Sequence, residues 1–295
     1  MEAFARRRQL TNLAEATSTE LQSNGCSVIS DYDIFHAMER VYGQGRTKYL
    51  RGVVPTLNML EATKSALNSA NVISRDKDYR RFWRLNIVPE GDVGQIVTHV
   101  DPAVYVSHIS AMVIYNLTTR RPKPLFLTKA TGAAWLNIRD DVQQRKYYPV
   151  YESRSLANVH HPKKVRGRQL NVLSSRKYGV HLQTRNSRTR VSTIGQTFLD
   201  MLEKPTLCGG MSHVLEVFEE YCEDFLPEII KAVNDSGSPI SKVRAGYILN
   251  ERLAFHNEKI ESWKQFAQRG SSRILDPERP FEPAYSEEWM LSINA

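Results

Sequence analysis

The first ninety residues begin with three helix-like segments, and this succession restricts the fold more than any other feature of the sequence. Apolar residues recur at helical spacing over residues 4–21 and are followed by a turn signal. Ser30 or Asp31 can cap a second helix that ends near residue 43. Pro55 suits the first turn of a third helix that runs to about residue 70. We therefore expect a small helical unit at the start of the chain.

A β-hairpin pattern follows the third helix directly. Residues 72–75 and 80–85 are rich in apolar and aromatic side chains and flank the turn Asp76-Lys77-Asp78. Three helices followed by a hairpin with a basic tip is the order of a winged helix, which is a variant of the helix-turn-helix. Small units of this composition also serve as protein-interaction domains, and Asp76, Asp78 and Glu61 oppose binding to a polyanion.

The third predicted helix has two chemically different arcs. Its apolar arc is formed by Met59, Leu60, Ala62, Ala66, Leu67 and Ala70. Its polar arc is formed by Asn58, Glu61, Lys64, Ser65, Asn68 and Ser69. In a winged helix this arc faces the major groove, so we expect Asn58, Lys64, Ser65 and Asn68 to contact base edges. Phosphates would be held by Arg46, Lys48, Arg51, Arg75, Lys77, Arg80 and Arg81.

The remainder of the chain predicts a larger α+β domain. A linker-like stretch covers residues 89–94, and Asp101-Pro102 resembles the start of a helix. Strand-like runs are expected at 125–128, 147–151, 169–173, 180–183 and 190–192. Helices are expected at 194–203, 211–223, 227–233, 239–254 and 259–267. The predicted fold class is thus α+β, with a winged-helix domain at 1–88 and a domain with a small sheet and helical cover at 89–295.

Basic residues are concentrated in the middle of the chain. Residues 91–200 carry 17 basic and 6 acidic side chains, whereas residues 201–295 carry 10 and 16. Between Glu152 and Asp200 every charged residue is basic, which predicts a second basic surface within residues 153–199 that attracts nucleic acid. We assign to it Lys163, Lys164, Arg166, Arg168, Arg176, Lys177, Arg185, Arg188 and Arg190. The alternative is a solvated face, or one matched by the acidic final third.

Other classes of protein are disfavoured. No apolar run approaches the roughly 18 residues of a membrane span, and the start of the chain lacks an apolar signal core, so we expect a cytoplasmic protein. Three cysteines without a Cys-x-x-Cys pair predict neither disulfides nor a zinc knuckle. His160-His161 lacks further ligands at chelating spacing, and Asp140-Asp141 lacks the partners of a nuclease cluster. We therefore expect no enzyme, catalytic residue, metal or cofactor; an enzyme acting on nucleic acid would instead depend on Asp140 and Asp141.

Several short strings resemble one known family. They are Val104-Tyr-Val-Ser-His-Ile-Ser-Ala111, Val191 to Pro205 with Cys208-Gly-Gly210, Val243-Arg-Ala-Gly-Tyr-Ile-Leu249 and Gly270-Ser-Ser-Arg-Ile-Leu-Asp-Pro277. With the preceding winged-helix pattern, they resemble the antitoxin subunit of type IV abortive-infection (AbiE) toxin-antitoxin systems of bacteria. The resemblance covers nearly the whole chain in order. One departure is Gln196, which stands where the family usually has the arginine of Arg-Thr-Leu-x-Asp.

The resemblance implies a transcriptional autorepressor and antitoxin that acts in phage defence. Its N-terminal winged helix would bind inverted repeats in double-stranded promoter DNA and repress its own operon. Its C-terminal domain would counter a nucleotidyltransferase-like toxin without a stable complex, and the basic stretch would extend the DNA footprint or bind RNA. The alternative is an RNA- or protein-binding module without promoter specificity. The resemblance supplies no catalytic residues.

Overall fold

The computed structural model describes residues 12–45, 52–146, 158–185, 187–268 and 273–295. The α-helices are α1 (Asn12–Ser23), α2 (Asp31–Gly43), α3 (Leu57–Ser69), α4 (Val93–Val100), α5 (His108–Ile114), α6 (Ala133–Lys146), α7 (Ile194–Glu203), α8 (Met211–Tyr221), α9 (Leu226–Asp235), α10 (Pro239–Gly246) and α11 (Glu258–Ser262). Shorter helical turns are the 3-10 helices Pro205–Cys208 and Trp263–Phe266 and the π-helix Tyr247–Arg252.

The strands are short and form three sheets. They are β1 (Val28–Ile29), β2 (Ile73–Arg75), β3 (Trp83–Leu85), β4 (Val104–Val106), β5 (Leu125–Ala130), β6 (Lys164–Val165), β7 (Arg168–Ser175), β8 (His181–Gln183), β9 (Arg190–Ser192), β10 (Tyr285–Ser286) and β11 (Leu291–Ser292). Their orders are β1-β3-β2, β10-β11 and β6-β7-β5-β4-β9-β8. The chain thus contains many helices and several short strands, and the fold class is α+β, as the sequence predicts.

The chain divides into two compact units. The first comprises residues 1–104, 130–170 and 184–189, and the second comprises residues 105–129, 171–183 and 190–295. This grouping differs from the predicted division at residue 88. Side chains from residues 158–170 contact the β2–β3 hairpin, and contacts across such a sequence separation leave no local signal in the sequence.

The first unit is built around one apolar cluster in its N-terminal part. Helices α1, α2 and α3 and the antiparallel sheet β1-β3-β2 contribute Ala14, Leu21, Ile34, Phe35, Met38, Leu60, Leu67, Ile73 and Leu85, all at most 1% exposed. Ser30 caps α2 through a capping box with Asp33, which fixes the start of that helix where the sequence predicts it. Strand β1 was not predicted; Val28 and Ile29 pair with β3 and close the sheet on that side.

The second unit has its own core. Phe198 and Phe218 pack edge to face with centroids 5.0 Å apart, and Trp263 and Trp289 are fully buried in the same cluster. Helix α7 approaches α9 so closely that a Cβ on Gly195 would lie 2.3 Å from the Glu228 carbonyl oxygen. The start of α7 at Ile194 follows the prediction because Thr193 caps the Gln196 N–H.

Three segments differ from their predicted structure. The predicted helix beginning at Asp101-Pro102 is wrong, since residues 104–106 form strand β4 and α5 covers only residues 108–114. All three β4 residues are buried, and their β-branched and aromatic side chains suit the middle of a sheet. Helices α4 and α6 were not predicted. The predicted strand at 147–151 lies outside the described residues.

No helix among the described residues is both long and apolar enough to cross a membrane.

Candidate nucleic-acid interface

Helix α3 presents one polar face to solvent. Thr56 caps the helix by accepting the Met59 N–H at 3.3 Å, so the helix begins at Leu57, two residues after the predicted Pro55. The buried stripe consists of Leu60, Thr63, Lys64 and Leu67. The exposed face consists of Asn58, Glu61, Ala62, Ser65, Asn68 and Ser69. The stripe is rotated relative to the predicted apolar arc, since Thr63 is buried and Ala62 is exposed.

The structure removes Lys64 from the predicted set of base-contacting residues. Only 8% of the residue is exposed, and its ammonium donates to Asp31 on α2 and to Glu61, both at 2.8 Å. Burial lowers the pKa of Lys64, but these two hydrogen bonds and the carboxylate charges raise it above its usual value. Its charge is paired with two carboxylates and its side chain is buried, so Lys64 holds α3 against α2 and does not face a ligand in solvent.

The hairpin formed by β2, β3 and the connecting residues 76–82 is called the wing below. The Val72 N–H donates to the Leu67 carbonyl at 2.9 Å, so the wing is anchored at the end of α3. Within its turn, one carboxylate oxygen of Asp76 accepts the N–H groups of Asp78 at 3.0 Å and Tyr79 at 2.8 Å. Asp76 is therefore a buried structural residue of the turn, and its charge does not face solvent.

A single arginine pairs with the acidic side chains of the wing. Arg166 has a side chain that is 7% exposed, and its guanidinium pairs with Asp76 and Asp78 of the wing and with Glu90. Its backbone N–H also donates to Asp78 at 2.9 Å. We call this cluster the Arg166 clamp. The prediction that Arg166 belongs to a second basic surface is wrong, because its positive charge is buried against three carboxylates.

The hairpin of β6 and β7 explains how Arg166 reaches the wing. Residues 166 and 167 form its two-residue turn, and both adopt positive φ, 52° for Arg166 and 79° for Gly167. Positive φ at both positions is the geometry of a type I′ turn, in which a non-glycine residue is uncommon. Arg166 therefore forms the ion pairs of the Arg166 clamp from a backbone conformation that arginine seldom adopts.

A second buried contact holds the wing in place through Tyr79. The Tyr79 hydroxyl lies 2.9 Å from His161 Nδ1, and His161 Nε2 lies 3.0 Å from an Asp101 carboxylate oxygen. With its proton on Nε2, the ring donates to Asp101 and accepts from Tyr79. Burial and the Asp101 charge both raise the pKa of Tyr79, which keeps the hydroxyl protonated. His161 thus holds Tyr79, and with it the wing, in position.

Because Asp76 is buried and Asp78 is half-buried against Arg166, the exposed charged side chains of the wing are basic. An open depression of about 680 Å³ lies in this surface and is lined by Arg75, Asp76, Lys77, Arg80 and Arg81. All four cations are exposed. The Arg75 guanidinium stacks 3.7 Å from the ring centroid of Trp83, whose indole N–H donates to Asp31 at 2.7 Å. This stacking fixes the position of one cation while leaving it accessible.

Three of the predicted phosphate contacts precede α3 in the sequence. Arg46, Lys48 and Arg51 lie outside the described residues. Their assignment as phosphate contacts remains a prediction.

The predicted second basic surface is divided between the two units. In the first unit, Lys163, Lys164 and Arg168 are exposed around the β6–β7 hairpin, and Arg185 and Arg188 are exposed in the segment 184–189. In the second unit, Arg176 and Lys177 are exposed, and Arg190 in β9 is half-buried. The Arg188 guanidinium donates to the Asn24 carbonyl. A basic hairpin within the first unit is thus present, whereas a continuous surface through all these residues remains a prediction.

The described residues contain no cluster of three or more His, Cys, Asp or Glu side chains placed to hold a metal ion. Asp140 on α6 pairs with the neighbouring Arg139 at 2.7 Å. His160 is exposed, whereas its neighbour His161 is taken up by Tyr79 and Asp101. Cys208 is fully buried in the core of the second unit, and burial raises the pKa of its thiol.

No family model matches the sequence, and no curated protein matches it. Among solved structures, the backbone is similar to that in the "Crystal structure of RV2827C protein from Mycobacterium tuberculosis". The two chains are 10% identical, the match covers 96% of this chain and 92% of that chain, and the TM-score is 0.49. The likeness concerns the backbone path alone and implies no function.

Proposed function

We propose that the chain is a DNA-binding transcriptional repressor whose N-terminal elements act as a winged helix. The observation that carries the proposal is the separation of charge on the wing. Its cations Arg75, Lys77, Arg80 and Arg81 face solvent, while its carboxylates are paired with Arg166, Asp76 fully buried and Asp78 half-buried. A surface of this kind attracts a polyanion, and it adjoins a helix with an exposed polar face.

The two parts of the interface have different roles in the proposal. Asn58, Ser65 and Asn68 lie on the exposed face of α3, where an amide can form a bidentate pair with adenine and a hydroxyl can contact several bases. The wing cations contact phosphates, which fixes the register of the protein on the duplex without reading sequence. Lys64 takes no part in base contact and instead stabilises the packing of α3.

The resemblance to the AbiE antitoxin subunit extends the proposal to a biological role. We propose that the DNA bound is the promoter of the chain's own operon, containing inverted repeats, and that the protein also counters a nucleotidyltransferase-like toxin. Support comes from the short strings quoted above and from the order of elements at the N-terminus. The exposed cations of the β6–β7 hairpin favour RNA binding as a second candidate function.

Removing the wing cations tests DNA binding. We expect the variant R75A/K77A/R80A/R81A to bind the duplex upstream of its own gene roughly 100- to 1,000-fold more weakly near 0.1 M salt, because each lost phosphate contact removes counterion release. The slope of log affinity against log salt should become shallower by roughly three to four. Fluorescence anisotropy at several salt concentrations measures both quantities.

A matched control separates wing contacts from net charge. The variant R121A/K123A/K231A/K259A removes four exposed cations from the second unit and should bind as the wild type does. Equal losses in the two variants would reject the wing as a DNA contact. Competition with unlabelled tRNA distinguishes the second candidate: promoter binding that tRNA displaces as well as unlabelled promoter does would favour an RNA-binding module.

A further inference from the structure

Cys26, His99 and Asp33 form a chain of contacts within the first unit, in which Cys26 is buried and the other two are half-buried. Cys26 directly precedes Ser27 and strand β1, His99 lies on α4, and Asp33 lies on α2. Cys26 Sγ is 3.6 Å from His99 Nδ1, and His99 Nε2 is 3.3 Å from an Asp33 carboxylate oxygen. The same Asp33 oxygen accepts the Ser30 N–H at 2.7 Å and the Ser30 hydroxyl at 2.6 Å. A thiol, an imidazole and an oriented carboxylate in this order resemble the arrangement that activates cysteine nucleophiles.

The charges around Cys26 favour its thiolate. Burial lowers the pKa of His99, but the Asp33 charge and the hydrogen bonds outweigh this and raise it to about 10, so the ring is an imidazolium at neutral pH. Burial and the Asp33 charge raise the pKa of Cys26, while the hydrogen bond and charge of His99 and the charge of Arg188 lower it, and the result is below the usual value. Among the described residues, His99, Asp33 and Arg188 are the charged groups that act most strongly on the sulfur.

The other two cysteines provide an internal comparison. Cys208 and Cys222 lie in the apolar core of the second unit and are 0% and 2% exposed, whereas Cys26 is 8% exposed. Burial raises the pKa of both thiols, to about 11 for Cys222. Reaction with an oxidant follows thiolate character and access, and both factors favour Cys26.

We propose that Cys26 is a modification site at which small hydroperoxides form a sulfenic acid, with His99 and Asp33 as positioning residues. The thiolate sulfur attacks the terminal peroxide oxygen, so an S–O bond forms as the O–O bond breaks. Sulfur loses two electrons and the peroxide gains them. The departing alkoxide or hydroxide takes a proton from His99 Nδ1 and leaves as alcohol or water, and His99 regains its proton from solvent. This site does not depend on the proposed DNA binding.

Site-resolved labelling of the full chain tests the proposal. Native protein is treated with a small excess of hydrogen peroxide and dimedone, and the labelled cysteine is identified by peptide mass spectrometry. We expect dimedone on Cys26 at least tenfold in excess of Cys208 and Cys222, and no comparable label in the C26A variant. Label spread equally over the three cysteines, or found first on Cys208 or Cys222, would overturn the proposal.

The pH dependence of alkylation needs no variant and tests the ion pair directly. The rate of Cys26 alkylation by iodoacetamide should fall less steeply between pH 8 and pH 6.5 than that of an ordinary thiol, which loses about tenfold in rate per pH unit below its pKa of about 8.5. The variant H99Q should show that ordinary decline. A steep decline in the wild type, or a flat profile in both proteins, would contradict the assignment.

Discussion

Replacing Arg166 with methionine is expected to lower the free energy of unfolding by about 3–5 kcal/mol, because it leaves the Asp76 carboxylate buried without its partner. The side chain of Asp76 is fully buried, and burial opposes its charge. Hydrogen bonds from Arg166 and from the Tyr79 N–H nevertheless hold the pKa of Asp76 below its usual value. Methionine keeps the length of the side chain and, unlike glycine, does not relieve the positive φ at this position. Urea unfolding measures the change.

Two further variants show whether the effect comes from charge. Arg168 lies on the same hairpin but is exposed, so R168M should change the free energy of unfolding by no more than about 0.5 kcal/mol. D76N keeps the oxygen that accepts the Asp78 and Tyr79 N–H groups while removing the charge. The double variant R166M/D76N should therefore be less destabilised than the sum of the two single variants. A loss below 1 kcal/mol for R166M would show that the clamp is not a stabilising feature.

Replacing Asp200 with asparagine is expected to stabilise the protein at pH 8 by up to about 4 kcal/mol, at about 1.4 kcal/mol per pKa unit. Asp200 lies on α7 in the second unit, where burial and the Glu203 charge raise the pKa of its carboxyl to about 7. One oxygen accepts from Gln196 Nε2 at 2.7 Å, and the other is buried with no hydrogen-bond partner among the described residues. Ionising this group in the folded protein is therefore costly.

The pH dependence of that stability has a definite sign. Between about pH 4 and pH 7 the folded chain holds the Asp200 proton while the unfolded chain has released it. The folded state binds more protons, so its stability falls as the pH rises through this window. Urea unfolding at pH 5, 6, 7 and 8 should show a difference between wild type and D200N that grows with pH, since other titrating groups contribute equally to both. A difference that is constant across this range would refute the assignment.

Local signals in the sequence predicted those elements whose ends are fixed by neighbouring residues. The start of α2 follows from the Ser30 capping box, and the start of α7 follows from the Thr193 cap. The same signal is present at α4, where Asp92 caps the Gln95 N–H, but the nearby glycines favour a linker. Strand β1 has only two residues and exists because β3 pairs with it, so no local pattern could predict it.

The candidate interface was predicted where it depends on exposure and missed where it depends on distant contacts. Asn58, Ser65 and Asn68 are exposed because a helix that buries one stripe exposes the opposite one. Lys64 lies near the edge of that stripe, and its burial depends on Asp31, thirty-three residues away. Arg166 reads as one more cation in a basic run, yet its partner Asp76 lies ninety residues earlier. Burial of an ion pair at such a separation leaves no periodic signal.

The central claim is that the exposed face of α3 reads bases while the wing holds phosphates, and the affinity ratio between two duplexes tests it most directly. The ratio compares the duplex upstream of the chain's own gene with a scrambled duplex of equal length and composition. The account predicts that N58A/N68A reduces this ratio at least about thirtyfold, at about 1–3 kcal/mol per bidentate contact, while leaving affinity for the scrambled duplex unchanged. The wing variant should weaken both duplexes to a similar extent. An unchanged ratio in N58A/N68A would contradict the assignment of α3 as the reading element.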